Sequence, residues 1–158
     1  MSLESEITKC NLSRPEHQKA LIDLISDYIL DDMGDGVPLS EKEKIDLVEG
    51  LKNNPKALVL LAENQGIFTG LLVAFENFST FTARPMMNIH DVTVPKQHRK
   101  KGIGRKLMNA LIEEAEKRNC SRITLEVRKD NIPAQNLYKD LGFSEPPPGM
   151  FYWRKYLK

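Results

Sequence analysis

Apolar positions first recur at helical spacing, with Leu21, Leu24, Ile25, Tyr28 and Ile29 falling on one face. The spacing predicts a helix over about 14–32, opened by a capping box of Ser13 and Glu16 and ended near Gly34. A second capping box, Ser40 with Glu43, opens a shorter helix carrying Ile45, Val48 and Leu51, stopped at 53–55 by Asn-Asn-Pro. From 57 the rhythm is that of strands. A strand over 57–63, a turn at Asn64-Gln65-Gly66 and a longer strand over 67–79 read as a hairpin, with Gly70 marking a bulge. A third strand covers 86–94, and residues 5–10 read as a short edge strand. Helical spacing returns at 103–118, where Ile103, Leu107, Ala110, Leu111 and Ala115 are to face the sheet. A strand over 123–127 follows, and strand, helix, strand at this length predicts that it lies parallel to 87–94. A last helix over 132–141 has Pro133 at its start and Gly142 as its stop. Three prolines at 146–148 then precede a terminal strand over 150–157. The order βααβββαβαβ is α/β: a mixed β-sheet flanked by helices on both faces, in a single domain over 1–158.

Composition keeps this picture and removes alternatives. The chain has 158 residues, 41% hydrophobic and 28% charged, as an ordinary soluble domain does. No apolar run approaches the roughly 20 residues of a membrane helix, no signal peptide opens the chain, and Cys10 and Cys120 have no metal-type spacing. The expectation is a reduced, cytoplasmic protein with no membrane partner and no metal, since His17, His90 and His98 show no ligand spacing either. The net charge of +1 hides an uneven distribution. From Glu16 to Asp46 nine acids stand against three lysines, a local charge of −6. Lys96, Arg99, Lys100, Lys101, Arg105 and Lys106 form a basic cluster. That cluster is short and the chain only 7% aromatic, which argues against a nucleic-acid partner.

The cluster straddles Gly102 and Gly104 at the opening of a predicted helix. A helix N-terminus offers unpaired N–H groups and partial positive charge, and glycines let an anion reach them, so the loop reads as a pyrophosphate site. It is not a nucleotide P-loop, for GxxxxGK[ST] is absent. Nor is it the dinucleotide fingerprint, because Leu107 holds the third glycine position. What stands here is R-x-x-G-x-G, Arg99 to Gly104.

Three signatures together resemble the GNAT superfamily of acetyl-CoA-dependent N-acetyltransferases. They are V-x-V-P at Val92–Pro95, the R-x-x-G-x-G loop, and N-x-x-A-x-x-L-Y-x-x-x-G-F from Asn131 to Phe143. The resemblance is specific over 87–143 and extends by element order to the whole chain. It implies a V-shaped splay between strands 87–94 and 122–127 that receives the pantetheine arm of acetyl-CoA, the acetyl donor. Main-chain groups of Val92, Thr93 and Val94 would pair with that arm. The amides of Lys100, Lys101, Gly102, Ile103, Gly104 and Arg105 would wrap the pyrophosphate, with Arg99, Lys100 and Arg105 adding charge. Asn131 and Ala134 match the family's positions beside the arm, and Asn131 also reads as an ordinary helix N-cap.

The same resemblance makes Tyr138 the general acid that protonates the CoA thiolate, with core packing as its plainer role. The base is more open. His90 stands where members often carry Glu, and Asp91 follows it. Neutral imidazole suits proton abstraction near pH 7. Strand alternation predicts that His90 and Asp91 point to opposite faces unless the strand bulges. The expected acceptor is a primary amine, either a small cationic molecule or a peptide amine. The acids Asp31, Asp32 and Asp35 offer a rim for a cationic one, and they read equally as solvated surface. Phe75, Phe78, Phe81, Tyr152 and Trp153 read as pocket walls, core or a dimer face. Members often form homodimers, and the oligomeric state stays open. A non-catalytic acyl-CoA-binding sensor on the same fold is the alternative function.

Overall fold

The structure is a computed structural model in which residues 4–157 are described. It comprises two compact units, one ending at Glu126 and one beginning at Val127.

The first unit holds a five-stranded sheet in the order β1-β2-β3-β4-β5, with β1 Glu6–Lys9, β2 Ala57–Asn64, β3 Ile67–Ser79, β4 Arg84–Thr93 and β5 Ile123–Leu125. Neighbours are antiparallel except β4 and β5, which are parallel, as the strand-helix-strand reading requires. Helices α1 (Pro15–Leu30), α2 (Glu41–Lys52) and α3 (Ile103–Lys117) complete it. Alternation along the central strands serves two faces. Val59, Leu61, Leu71 and Val73 join Leu21, Leu24 and Ile25 of α1 and Val48 of α2 in one buried cluster. Leu58, Leu60, Leu72 and Ala74 lie on the other face with Ile103, Leu107, Met108, Leu111 and Ala115 of α3, all buried. Met108 takes a place in the core that the spacing gave to Ala110, which is only half-buried.

The turn between β2 and β3 carries Gln65 at φ 51° and Gly66 at φ 79°, the left-handed pair a tight hairpin needs. The bulge read at Gly70 is present one residue away: Ala62 pairs with Gly70 and Glu63 with Phe68, so Thr69 is the additional residue. Gly70 itself is a close approach. A Cβ there would lie 2.9 Å from Ile103 Cγ2 and 3.1 Å from Leu107 Cδ1. The first turn of α3 therefore rests directly on the β3 backbone.

Two sequence expectations fail at helix starts and chain ends. Ser13 and Glu16 make no capping box: the cap of α1 is Arg14, without a side-chain bond, and Glu16 pairs with Arg14 instead. The box of Ser40 and Glu43 on α2 is complete. In the second unit, α4 (Ile132–Asp140) forms as expected, but no strand forms over 150–157. An extended segment makes a strand only beside a neighbour that takes up the backbone bonds. Among the described residues none does, and Met150, Phe151, Trp153 and Tyr156 stand exposed. The observed order is βααβββαβα. Among the described residues no helix is long and apolar enough to cross a membrane.

Candidate active site

The site expected from sequence starts where β4 changes its pairing. Val73 pairs with Asp91 and Ala74 with Ile89, which leaves His90 as an additional residue in a β-bulge. Directly opposed residues share a face, so Asp91 lies on the side of Val73, the face covered by α1 and α2. The His90 ring meets Phe75 edge-on at 5.6 Å, and Phe75 packs against that same cluster. Both side chains thus occupy one face. The expectation of opposite faces is corrected by the bulge, which breaks the alternation it was drawn from. His90 Nδ1 stands 3.7 Å from Asp91 Oδ2, close enough for charge coupling and too far for a hydrogen bond. The imidazole is 65% exposed and the carboxylate 26%. Burial pushes the Asp91 carboxyl above the ordinary range, opposed by the charge of His90.

Beyond this point β4 loses its parallel neighbour. Pairing with β5 runs from Met87–Ile123 to Ile89–Leu125 and stops, while β4 continues to Thr93 against β3 alone. Over Asp91, Val92 and Thr93 the β5 side of the strand has no strand partner among the described residues, which makes it an edge able to accept one. Of the expected parting of the two parallel strands, the structure gives the end of the ladder at Ile89–Leu125.

Past Val94 the chain makes a 3₁₀ turn at Lys96–His98 and enters the glycine loop. Lys100 (φ 62°) and Gly102 (φ 76°) are both left-handed. Gly102 is the N-cap of α3 and has no side chain to bond the first-turn N–H groups, and no acid lies in that turn. A Cβ on Gly102 would meet nothing within 4 Å, so it is the backbone conformation that demands glycine there. The result is a helix start without a side-chain cap, the kind of terminus that suits an anion.

Its side chains are less available than the sequence suggested. Arg99 Nε donates to the Val94 carbonyl at 2.8 Å and Arg99 Nη2 to Asp31 Oδ2 at 2.7 Å. Lys96 Nζ lies 3.2 Å from Asp32 Oδ2, and Lys106 Nζ lies 2.7 Å from Glu4 Oε2. Asp31 and Asp32, read as a rim for a cationic acceptor, thereby meet the basic loop instead, and Asp35 accepts from the Val37 N–H at 3.2 Å. Nothing in the sequence announces the Asp31–Arg99 contact, which spans 68 residues.

The second unit explains part of the Asn-to-Phe signature by local physics. Asn131 caps α4, its Oδ1 accepting from the Ala134 N–H at 3.3 Å. At the other end Gly142 has φ 88°; its N–H donates to the Lys139 carbonyl at 3.0 Å, and the Phe143 N–H donates to the Tyr138 carbonyl at 2.9 Å. That is a Schellman ending, and the accompanying ring contact is Tyr138 with Phe143, centroids 6.1 Å apart. The Y-x-x-x-G-F spacing fixes the backbone around Tyr138 whatever else its phenol does.

Residues 21–143 match the model of the acetyltransferase (GNAT) family. The chain belongs to that family. It is 28% identical over 92 residues to an uncharacterized N-acetyltransferase of Bacillus subtilis (strain 168), a stretch covering 58% of this chain and 62% of that one. It is 40% identical over 57 residues to the [ribosomal protein bS18]-alanine N-acetyltransferase of Escherichia coli (strain K12), covering 36% and 38%. The matches therefore span less than two thirds of these relatives' own lengths. Its fold is also that of AAC(6')-Iy, solved in complex with the bisubstrate analog CoA-S-monomethyl-acetylneamine: TM-score 0.76 at 15% identity, over 96% of this chain and 99% of that one.

Proposed function

We propose that this GNAT chain works as one N-acetyltransferase domain that moves the acetyl group of acetyl-CoA to a primary amine by direct attack in a ternary complex. The observation that carries the reading is the continuous run from an unpaired strand edge at Asp91–Thr93 to the side-chain-free cap at Gly102. The edge suits the amides of a pantetheine arm, which add to a sheet as a strand does. The helix start suits the pyrophosphate, wrapped by the amides from Lys100 to Arg105, with Lys100 and Lys101 adding exposed charge.

The amine nitrogen attacks the thioester carbonyl, the C–N bond forms, and the C–S bond breaks to release CoA thiolate. The main-chain N–H of Val92 is assigned to polarise the carbonyl. The amine's proton passes to the His90–Asp91 pair, whose two side chains share one face of β4. Tyr138 is assigned to protonate the thiolate, its phenol O–H serving as general acid. Asn131 and Ala134 keep their assignment beside the arm by family resemblance. The acceptor is a primary amine of a small molecule or a peptide. The ion pairs of Asp31 and Asp32 weaken the case for a strongly cationic one.

Release of free CoA, followed over polyamines, amino sugars, amino acids and peptide N-termini, tests this reading. Turnover with at least one amine is expected. Tight acetyl-CoA binding with no turnover across all four classes would favour the acyl-CoA sensor.

A further inference from the structure

Resting on the donor site proposed above, we propose that Arg99 and Asp31 form a brace that positions the glycine loop, Arg99 acting through the backbone and not as a ligand of the phosphates. The first residue of R-x-x-G-x-G would on charge alone be given to the pyrophosphate. Its guanidinium is already committed. One edge of the planar fork donates to the carbonyl of Val94, where the strand ends, and another N–H reaches Asp31, where α1 ends. The loop entrance is thereby tied at one point to both elements.

Asp31 is a fixed anchor. Its side chain is 6% exposed, and both oxygens are used, Oδ2 by Arg99 and Oδ1 by the Met33 N–H at 3.2 Å. The backbone around it is pinned as well. Its N–H donates to the Tyr28 carbonyl at 3.1 Å, and its own carbonyl accepts from Gly34 N–H at 2.8 Å. Burial works against this carboxylate, yet the bond from Arg99, that from Met33, and the charges of Arg99 and Lys96 together hold its pKa below the ordinary value. Drawing Arg99 away to a phosphate would leave a buried charge without its partner, a costly exchange. The neighbouring Lys96–Asp32 pair is exposed at both ends and adds little by comparison. Lys100 and Lys101, past the brace and exposed, are the side chains placed to follow an anion.

The brace predicts that a residue on the α1 side, touching no donor atom, controls donor affinity. Calorimetric titration of acetyl-CoA into Asp31→Asn, Arg99→Gln, Arg99→Lys and the Asp31→Asn/Arg99→Gln double variant tests it. Each single variant should bind about tenfold more weakly, and the double variant no more weakly than either, because one interaction is removed. Arg99→Lys should be as weak as Arg99→Gln, since an ammonium cannot serve the Val94 carbonyl and Asp31 with one planar fork. Wild-type or tighter binding by Asp31→Asn, or wild-type affinity in Arg99→Lys, would overturn the brace and return Arg99 to the phosphates. Should Asp31→Asn melt too low to titrate, Arg99→Lys, which keeps a cation opposite Asp31, decides alone. Gly102→Asp separates this inference from the reading beneath it. Binding lost there but unchanged in Asp31→Asn overturns the brace only, whereas wild-type binding by Gly102→Asp overturns the donor loop and the brace with it.

Discussion

His90 enters β4 as an additional residue, and that one insertion turns two neighbouring side chains onto a single face. The pair differs in exposure and therefore in titration. Asp91 is the more buried, and burial raises its carboxyl pKa, so the folded protein holds that proton more tightly than the unfolded chain does. The resulting cost to stability is absent below the ordinary aspartate value and grows as pH rises through it toward the folded value. Asp91→Asn should then raise the urea midpoint at pH 7 and leave it unchanged at about pH 3. A midpoint shift equal at both pH values would contradict the burial argument. If Asp91 or His90 takes the amine proton, Asp91→Asn or His90→Ala should lower kcat about 100-fold with acetyl-CoA affinity kept. Tyr138→Phe should behave the same way with amine acceptors. Normal kcat in that variant would remove the general-acid role and leave Tyr138 a structural one, to which its ring contact with Phe143 belongs.

At the scale of elements, the start of α3 is set from below and its end from the side. Gly70 carries the first turn, and the two methyl groups above it belong to buried Ile103 and Leu107. Gly70→Ala should cost about 1–3 kcal/mol in chemical denaturation and weaken acetyl-CoA binding, since the helix start must lift to admit the methyl. An unchanged dissociation constant would show that the donor loop tolerates that shift. At the far end Arg118 bonds Glu114 of α3 and Glu76 of β3, at 2.8 and 3.0 Å, while Lys9 and Lys56 hold the outer sides of the same two acids. Both carboxyls have pKa values held below ordinary, chiefly by their lysine bonds and then by Arg118. Their contribution is full above the ordinary glutamate value and is lost as pH falls through it toward the folded values. Arg118→Met should lose about 1–3 kcal/mol at pH 7, and the difference from the parent should shrink steadily below about pH 4.

For the whole molecule, a donor that binds the native state stabilises it by mass action. Acetyl-CoA at about 100 times its Kd contributes about 2.7 kcal/mol and should raise Tm on the order of 5–10 °C. The family match through 21–143 makes that the expected donor, and no shift at saturating concentrations would count against it. Local patterns determined much of this protein: the Ser40–Glu43 cap, the hairpin turn at Gln65-Gly66, the bulge beside Gly70, the glycine start of α3 and the Gly142 stop of α4. Each is legible because its atoms are only a few residues apart. The terminal strand expected after the prolines at 146–148 does not form, because a strand depends on a partner that its own residues do not encode. Tertiary structure alone decided three features of the site. The register of β4 against β3 made His90 a bulge, the end of the β4–β5 ladder opened an edge at Asp91–Thr93, and Asp31 took Arg99 across 68 residues of chain. All three arise from contacts between segments distant in sequence, where residue type says what can pair and only packing selects which pair is made.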